Sequence, residues 1–171
     1  GEGAYASVYA ATQQQVDGRL SEVFAIKVQS PSWPWEFYIC DQLQRRADVI
    51  YSEKFIKAWR MFLYDKKSFL VLPYSGYGTL LDVINARITA NKAMEEVMVM
   101  YYTIELLKIV NEMHSCQIIH GDIKPDNFLI MNEDSGASEE WKREGSPSWS
   151  NRGLILIDFG RSIDMSLYPK G

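Results

Sequence analysis

The densest chemistry in this chain lies in the run His120-Gly121-Asp122-Ile123-Lys124-Pro125-Asp126-Asn127, followed further on by Asp158-Phe159-Gly160. Asp122 can accept the proton of a hydroxyl, and Lys124 can reach a γ-phosphate in transfer. Asn127 lies on the far side of the loop, where its amide oxygen can bind Mg2+, and Asp158 supplies a second, charged metal ligand. Phosphoryl transfer from ATP asks for such a set: a proton acceptor, positioned cations and metal-binding oxygens, with little covalent chemistry on the protein itself.

Other elements must bring a nucleotide to these groups. Gly1-Glu2-Gly3-Ala4-Tyr5-Ala6-Ser7-Val8 reads as a glycine-rich turn entering a strand. Glycines let the backbone close over phosphates with no Cβ in the way, although Ala6 stands where a third glycine would be expected. Asp17-Gly18 is a hairpin signal, and Val23 to Val28 is a strand by its β-branched and apolar content. Gly1, Gly3, Val8 and Ala25 are therefore candidate nucleotide contacts. Lys27 sits inside that apolar strand, where an ammonium is costly unless paired. Ala25-Ile26-Lys27 fits a lysine that reaches α- and β-phosphates and is steadied by a helix carboxylate. Glu36 is the best candidate carboxylate; Glu22, before the strand, and Asp41, one turn along the helix, are the alternatives. So short an interval from Lys27 to Glu36 requires the helix to begin almost at the glutamate, and it is expected over about 36 to 46.

Further along, residues 55–64 and 67–72 are expected to form a hairpin turning near Asp65-Lys66, and a helix is expected from about Thr79. Residues 95–113 form a long helix whose charges Glu105, Lys108 and Glu112 make one narrow polar stripe. So wide an apolar circumference predicts burial on several sides. Phe128 to Met131 and Leu154 to Ile157 are short apolar strands. Between them, residues 132–153 are rich in Glu, Ser and Gly and read as a surface loop, with Trp141 and Trp149 as candidate docking points.

Bulk properties set limits. The chain has 171 residues and a net charge of −4. That length suits one core, and that charge carries no nucleic-acid footprint. No apolar run reaches the roughly 18 residues of a membrane span, and the first residues show no signal peptide. Cys40 and Cys116, two and far apart, read as free thiols of a reducing compartment. His114 and His120 lack a third partner at metal spacing. His120 is expected to pack and hydrogen-bond the catalytic loop, and Asp126 to be solvated.

Taken together, these stretches resemble the eukaryotic protein kinase fold, and within it most closely the Bub-type mitotic checkpoint serine/threonine kinases. The closer likeness rests on Pro34-Trp35-Glu36-Phe37-Tyr38-Ile39, on Ile119 to Phe128, and on Leu156 to Met165 continuing through Tyr168-Pro169-Lys170-Gly171. The resemblance implies an α+β, two-lobed fold, here truncated. Residues 1–75 would form a β-rich small lobe from the glycine loop to the hinge. Residues 76–171 would form part of a helical lobe, with an insert at about 132–153. Leu72 stands where kinases guard the back of the adenine pocket, and Pro73, Tyr74 and Ser75 would follow as the hinge whose backbone binds adenine. The resemblance further implies ATP and Mg2+ as cofactors, serine or threonine in proteins such as a histone tail as substrate, checkpoint and kinetochore proteins as partners, and a place in the nucleus at kinetochores.

Two departures from the family pattern matter. Gly121 replaces the arginine that commonly holds a phosphate on the activation loop, which predicts activity independent of that contact. The chain also opens inside the glycine loop and stops early in the activation segment, so by itself it is expected to be inactive. Two rival readings remain open. Small-molecule phosphotransferases of the aminoglycoside or choline kinase type also place glycine before the catalytic aspartate, though seldom with Lys124-Pro125 and Asp158-Phe159-Gly160. A non-catalytic pseudokinase scaffold should have lost Lys27, Asp122, Asn127 or Asp158, and all four are present.

Overall fold

The structure is a computed structural model that describes residues 6–14, 20–131 and 153–169. Gly1, Gly3, Asp17-Gly18 and the two tryptophans Trp141 and Trp149 lie outside the described residues.

Four strands form the first sheet: β1 (Ala6–Gln14), β2 (Leu20–Gln29), β3 (Arg60–Leu63) and β4 (Ser68–Pro73), in the order β1-β2-β4-β3, every neighbour antiparallel. β1 and β2 pair as the expected hairpin does. The second expected hairpin is shorter than residues 55–72: Phe55 is not in β3 but bridges Leu156 across the molecule and is fully buried. Ile56 beside it is also a core residue held in irregular backbone, and run length alone does not separate such a residue from a strand residue.

Helix α1 (Trp35–Arg46) follows Pro34 and packs Ile39, Cys40 and Leu43 inward. A single-turn helix α2 (Val49–Ser52), not expected from sequence, is capped by Asp48 through its bond from the Ile50 amide. Beyond β4, Thr79 opens α3 (Leu80–Thr89) with a reciprocal cap. Its hydroxyl accepts from the Asp82 amide, and the Asp82 carboxylate accepts from the Thr79 amide, which satisfies two otherwise orphaned donors.

Helix α4 (Glu96–Ser115) is the long apolar helix, but only Tyr102, Ile109 and Met113 are buried along it. Val97, Val99, Met100, Ile104 and Leu107 stay exposed. The sequence expectation of burial on several sides is therefore corrected for this chain: the described residues cover one side.

Two short strand pairs complete the scaffold. β5 (Ile118–Ile119) pairs with β8 (Ile163–Asp164), and β6 (Phe128–Ile130) pairs with β7 (Leu154–Leu156), both antiparallel. The β5–β8 ladder sits just before the loop at His120, and the β6–β7 ladder just after Asn127. The loop is thus anchored at both ends by backbone bonds, and Phe128, Ile130, Leu154 and Leu156 are buried beneath it.

Candidate active site

Strand register places one set of candidates on a single face. Val8 lies opposite Lys27, and Ala25 opposite Leu72. Residues two apart on a strand point the same way, so Val8, Ala25, Lys27 and Leu72 share a face of the sheet. Tyr74, beyond the strand, is half exposed. The Ser75 hydroxyl donates to the Ile130 carbonyl at 3.3 Å and ties the segment after β4 to β6.

The Lys27 ammonium donates to Glu36 Oε2 at 2.7 Å and Oε1 at 3.0 Å, and to Asp158 Oδ1 at 2.7 Å. Of the three candidate carboxylates it is Glu36 that meets Lys27. Asp41 instead pairs with Arg45 at 2.7 Å, and the side chain of Glu22 is not among those described. The helix begins at Trp35, one residue before Glu36, as the short interval requires. Burial pulls the Lys27 pKa down, but the two carboxylates outweigh it and hold the group above its ordinary value. Burial, aided by the charge of Asp158, pushes Glu36 above the usual carboxylate range against the pull of Lys27. The engagement of Asp158 by Lys27 is not visible in sequence. It follows from the left-handed backbone of Asp158, φ 64° and ψ 67°, a conformation that aspartate tolerates better than most residues.

The catalytic-loop candidates also converge. Lys124 donates to Asp122 Oδ2 at 2.8 Å, and Asn127 Nδ2 donates to the Asp122 carbonyl at 2.8 Å and to Oδ2 at 3.3 Å. With its NH2 so used, the amide oxygen of Asn127 makes none of these bonds. The Lys124 bond, above all, holds Asp122 below its ordinary carboxylate pKa, so it is an ionised acceptor at neutral pH.

His120 is buried. Its Nε2 donates to the Ile157 carbonyl at 2.9 Å, and its Nδ1 accepts from the Asp122 amide at 3.2 Å. A carbonyl can only accept, so the ring proton sits on Nε2. Burial lowers the pKa and keeps the ring neutral, in keeping with the structural role expected of it. Asp126 is exposed. No group of three or more metal-binding side chains of the His, Cys, Asp and Glu types occurs among the described residues.

Gly121 adopts φ +78°, and a Cβ built there would lie 2.6 Å from the Arg161 carbonyl oxygen. The residue therefore lets the Asp158-Phe159-Gly160 segment approach the loop closely. Phe159 is fully buried, its ring 5.2 Å from His120 and 6.4 Å from Phe55.

Lys27, Asp122, Lys124 and Asp158 line one cleft of about 620 Å³, together with Ala6, Trp33 and Arg161 among others. Val8, Ala25, Glu36, Leu72, Tyr74, Ser75 and Asn127 are not among its lining residues. The cleft offers a hard oxygen donor, the Asp158 carboxylate with a side chain 42% exposed, and Asn127, buried on the neighbouring loop, carries a second hard oxygen in its amide. That donor chemistry fits Mg2+.

A cluster that sequence reading missed lies at the other end of α1. Arg46 makes a bidentate pair with Asp164 at 2.8 and 2.9 Å, and the Tyr38 hydroxyl donates to the same carboxylate at 2.8 Å. Cys40 and Cys116 are free, as expected, and both are buried. No helix of the described residues is long and apolar enough to cross a membrane.

Comparison with known proteins agrees with this geometry. The family described as "Protein kinase domain" matches residues 1–169. The mitotic checkpoint serine/threonine-protein kinase BUB1 of Arabidopsis thaliana is 45% identical over 170 residues, which cover 99% of this chain and 32% of that protein. The spindle assembly checkpoint serine/threonine-protein kinase BUB1 of Saccharomyces cerevisiae is 42% identical over 180 residues, which cover 100% of this chain and 17% of that protein. Among solved structures, the BubR1 kinase domain superposes with a TM-score of 0.81 at 35% identity, covering 99% of this chain and 47% of that one. The chain thus spans a third or less of the length of these curated relatives.

Proposed function

The chain belongs to the protein kinase domain family, and on that premise we propose that its protein transfers the γ-phosphoryl group of ATP to serine or threonine hydroxyls of proteins. The observation that carries this reading is the convergence of Lys27, Asp122, Lys124 and Asp158 on one cleft, with Lys27 held by Glu36. Asp122, ionised and anchored through its backbone by Asn127, accepts the proton of the attacking hydroxyl. Lys124 stands beside it, where an ammonium offsets charge on the transferring group. Lys27 holds the α- and β-phosphates. Ala25, Val8 and Leu72 flank the adenine, whose edge meets the backbone at Tyr74 and Ser75. Asn127 and Asp158 would hold Mg2+, which when bound neutralises phosphate charge.

Its relatives are named as mitotic and spindle assembly checkpoint kinases, and we extend that role to the whole protein: action at kinetochores in the nucleus, checkpoint proteins as partners, and a histone tail as one candidate substrate. The reading is tested with the full-length protein, labelled Mg-ATP and a histone-tail peptide, followed by identification of the labelled residue. Label on serine or threonine is expected. Label only on a small-molecule alcohol would replace this reading with the small-molecule phosphotransferase, and ATP binding without transfer to any acceptor would replace it with the scaffold.

A further inference from the structure

Helix α1 carries Glu36 in its first turn and Arg46 in its last. Its inward residues Ile39, Cys40 and Leu43 make apolar contacts, which are not directional and permit a helix to slide or rotate. Directional bonds fix its orientation, and they lie at both ends: Lys27 and Gln29 donate to Glu36 at the first turn, and Arg46 donates to Asp164 at the last. Asp164 is fully buried there. Its carboxylate accepts two bonds from Arg46, one from the Tyr38 hydroxyl, and two from the amide (3.0 Å) and hydroxyl (2.6 Å) of Ser166. Arg46 also donates to the Cys116 carbonyl at 3.2 Å and to Gln42 at 2.8 Å. The carboxylate is saturated, both terminal nitrogens of Arg46 are engaged, and none of these side chains lines the nucleotide cleft.

The carboxylate also belongs to the segment that bears Asp158. Asp164 pairs with Ile118 in the β5–β8 ladder that leads into His120. Between the two aspartates, the Trp33 indole donates to the Gly160 carbonyl at 3.3 Å and the Trp35 indole to the Ser162 carbonyl at 2.7 Å. The Ser162 hydroxyl in turn donates to the His120 carbonyl at 3.2 Å. One carboxylate thus joins the helix holding Glu36, the strand entering the catalytic loop and the segment holding Asp158. Building on the kinase reading above, we propose that Asp164 is a positioning residue that seats α1 through Arg46 and Tyr38, and so sets Glu36 and Asp158 on Lys27 with no phosphate required on this segment. A helix pinned at one end pivots; pinned at both, it holds the 2.7 Å contacts of Lys27 in register.

The test uses the full-length protein, wild type and Asp164→Asn, after phosphatase treatment. Amide hydrogen exchange along 36–46 and 158–162 is read beside kcat, the KM for Mg-ATP and the melting temperature. The expected result is full wild-type activity after phosphatase, and in Asp164→Asn a kcat lowered about 10-fold or more with KM changed less. Faster exchange should be confined to those two segments. Unchanged exchange and a kcat within about twofold of wild type would overturn the proposal, as would wild-type activity abolished by phosphatase. Should Asp164→Asn fail to fold, Tyr38→Phe removes one bond and keeps the ion pair. A severalfold loss of kcat at unchanged melting temperature supports the proposal, and no loss overturns it. The exchange measurement needs no turnover, so a protein with no kinase activity but with the exchange change would refute the kinase reading alone.

Discussion

The two ends of helix α1 are held by ion pairs of opposite sense. At the N-terminal end the helix contributes the carboxylate, Glu36, to a lysine fixed in the sheet; at the C-terminal end it contributes the cation, Arg46, to a carboxylate fixed in strand β8. Both placements agree with the helix macrodipole, acid at the start and base at the end. The pairs differ in what they leave open. Lys27 lines the cleft, and its second partner Asp158 is partly exposed, so a phosphate or a metal can compete for this site. Asp164 is saturated and buried, so nothing competes. On the proposed kinase reading the two ends divide the labour: one end of the helix handles ligand, the other only holds position.

The strongest way to break this comparison is at the ligand-handling end. Lys27→Met is expected to lower turnover by about 10²–10³, the scale for losing one pre-organised electrostatic contact. It should also weaken Mg-ATP binding, which initial rates and nucleotide titration together will show. At the holding end, Arg46→Ala leaves the Asp164 carboxylate buried without its cation. The expected loss is about 3 kcal/mol of stability, read by urea unfolding, with Mg-ATP still bound by the folded fraction. Equal loss of nucleotide affinity in both variants would erase the distinction.

The two ends were unequally legible in the sequence. Lys27 and Glu36 could be paired because a lysine in an apolar strand demands a carboxylate, and the glutamate at the start of the next helix is near. Asp164 gave no such signal: an aspartate after two strand-like residues is ordinary on a surface, and its partner lies far back in the chain at the end of a helix. Its burial comes from the β5–β8 pairing, a long-range event between two-residue strands that no periodicity announces. The left-handed turn at Asp158 is local, yet its consequence, a second carboxylate on Lys27, depends on where the sheet ends. Phe55 misled for a related reason, since an apolar run predicts burial without saying that the burial is in a strand.

Smaller effects sharpen the comparison. Gly121→Ala places a Cβ against the Arg161 carbonyl in a backbone region that costs about 1–2 kcal/mol for a residue with a side chain. A melting temperature lowered accordingly is expected. The Asp164 carboxyl is held well below its ordinary value, first by the Arg46 bonds and then by Ser166 and Tyr38 against the opposing effect of burial. A depressed carboxyl contributes stability above its unfolded pKa and loses it as pH falls through its folded value. The Arg46 clamp should therefore be constant from neutrality to about pH 5 and fail only in stronger acid, as the stability difference between wild type and Asp164→Asn measured against pH will show. The smallest effect is expected at the exposed Asp41–Arg45 pair: Asp41→Asn should leave turnover and melting unchanged, because solvent screens such a pair.

The central claim is that Asp122 takes the hydroxyl proton during phosphoryl transfer. Single-turnover transfer from Mg-ATP by the full-length protein and its Asp122→Asn variant, with nucleotide affinity measured on both, tests it most directly. The account predicts a rate lowered by about 10²–10⁴, the contribution of a positioned base, at nearly unchanged Mg-ATP affinity. A variant that turns over at close to the wild-type rate would contradict it.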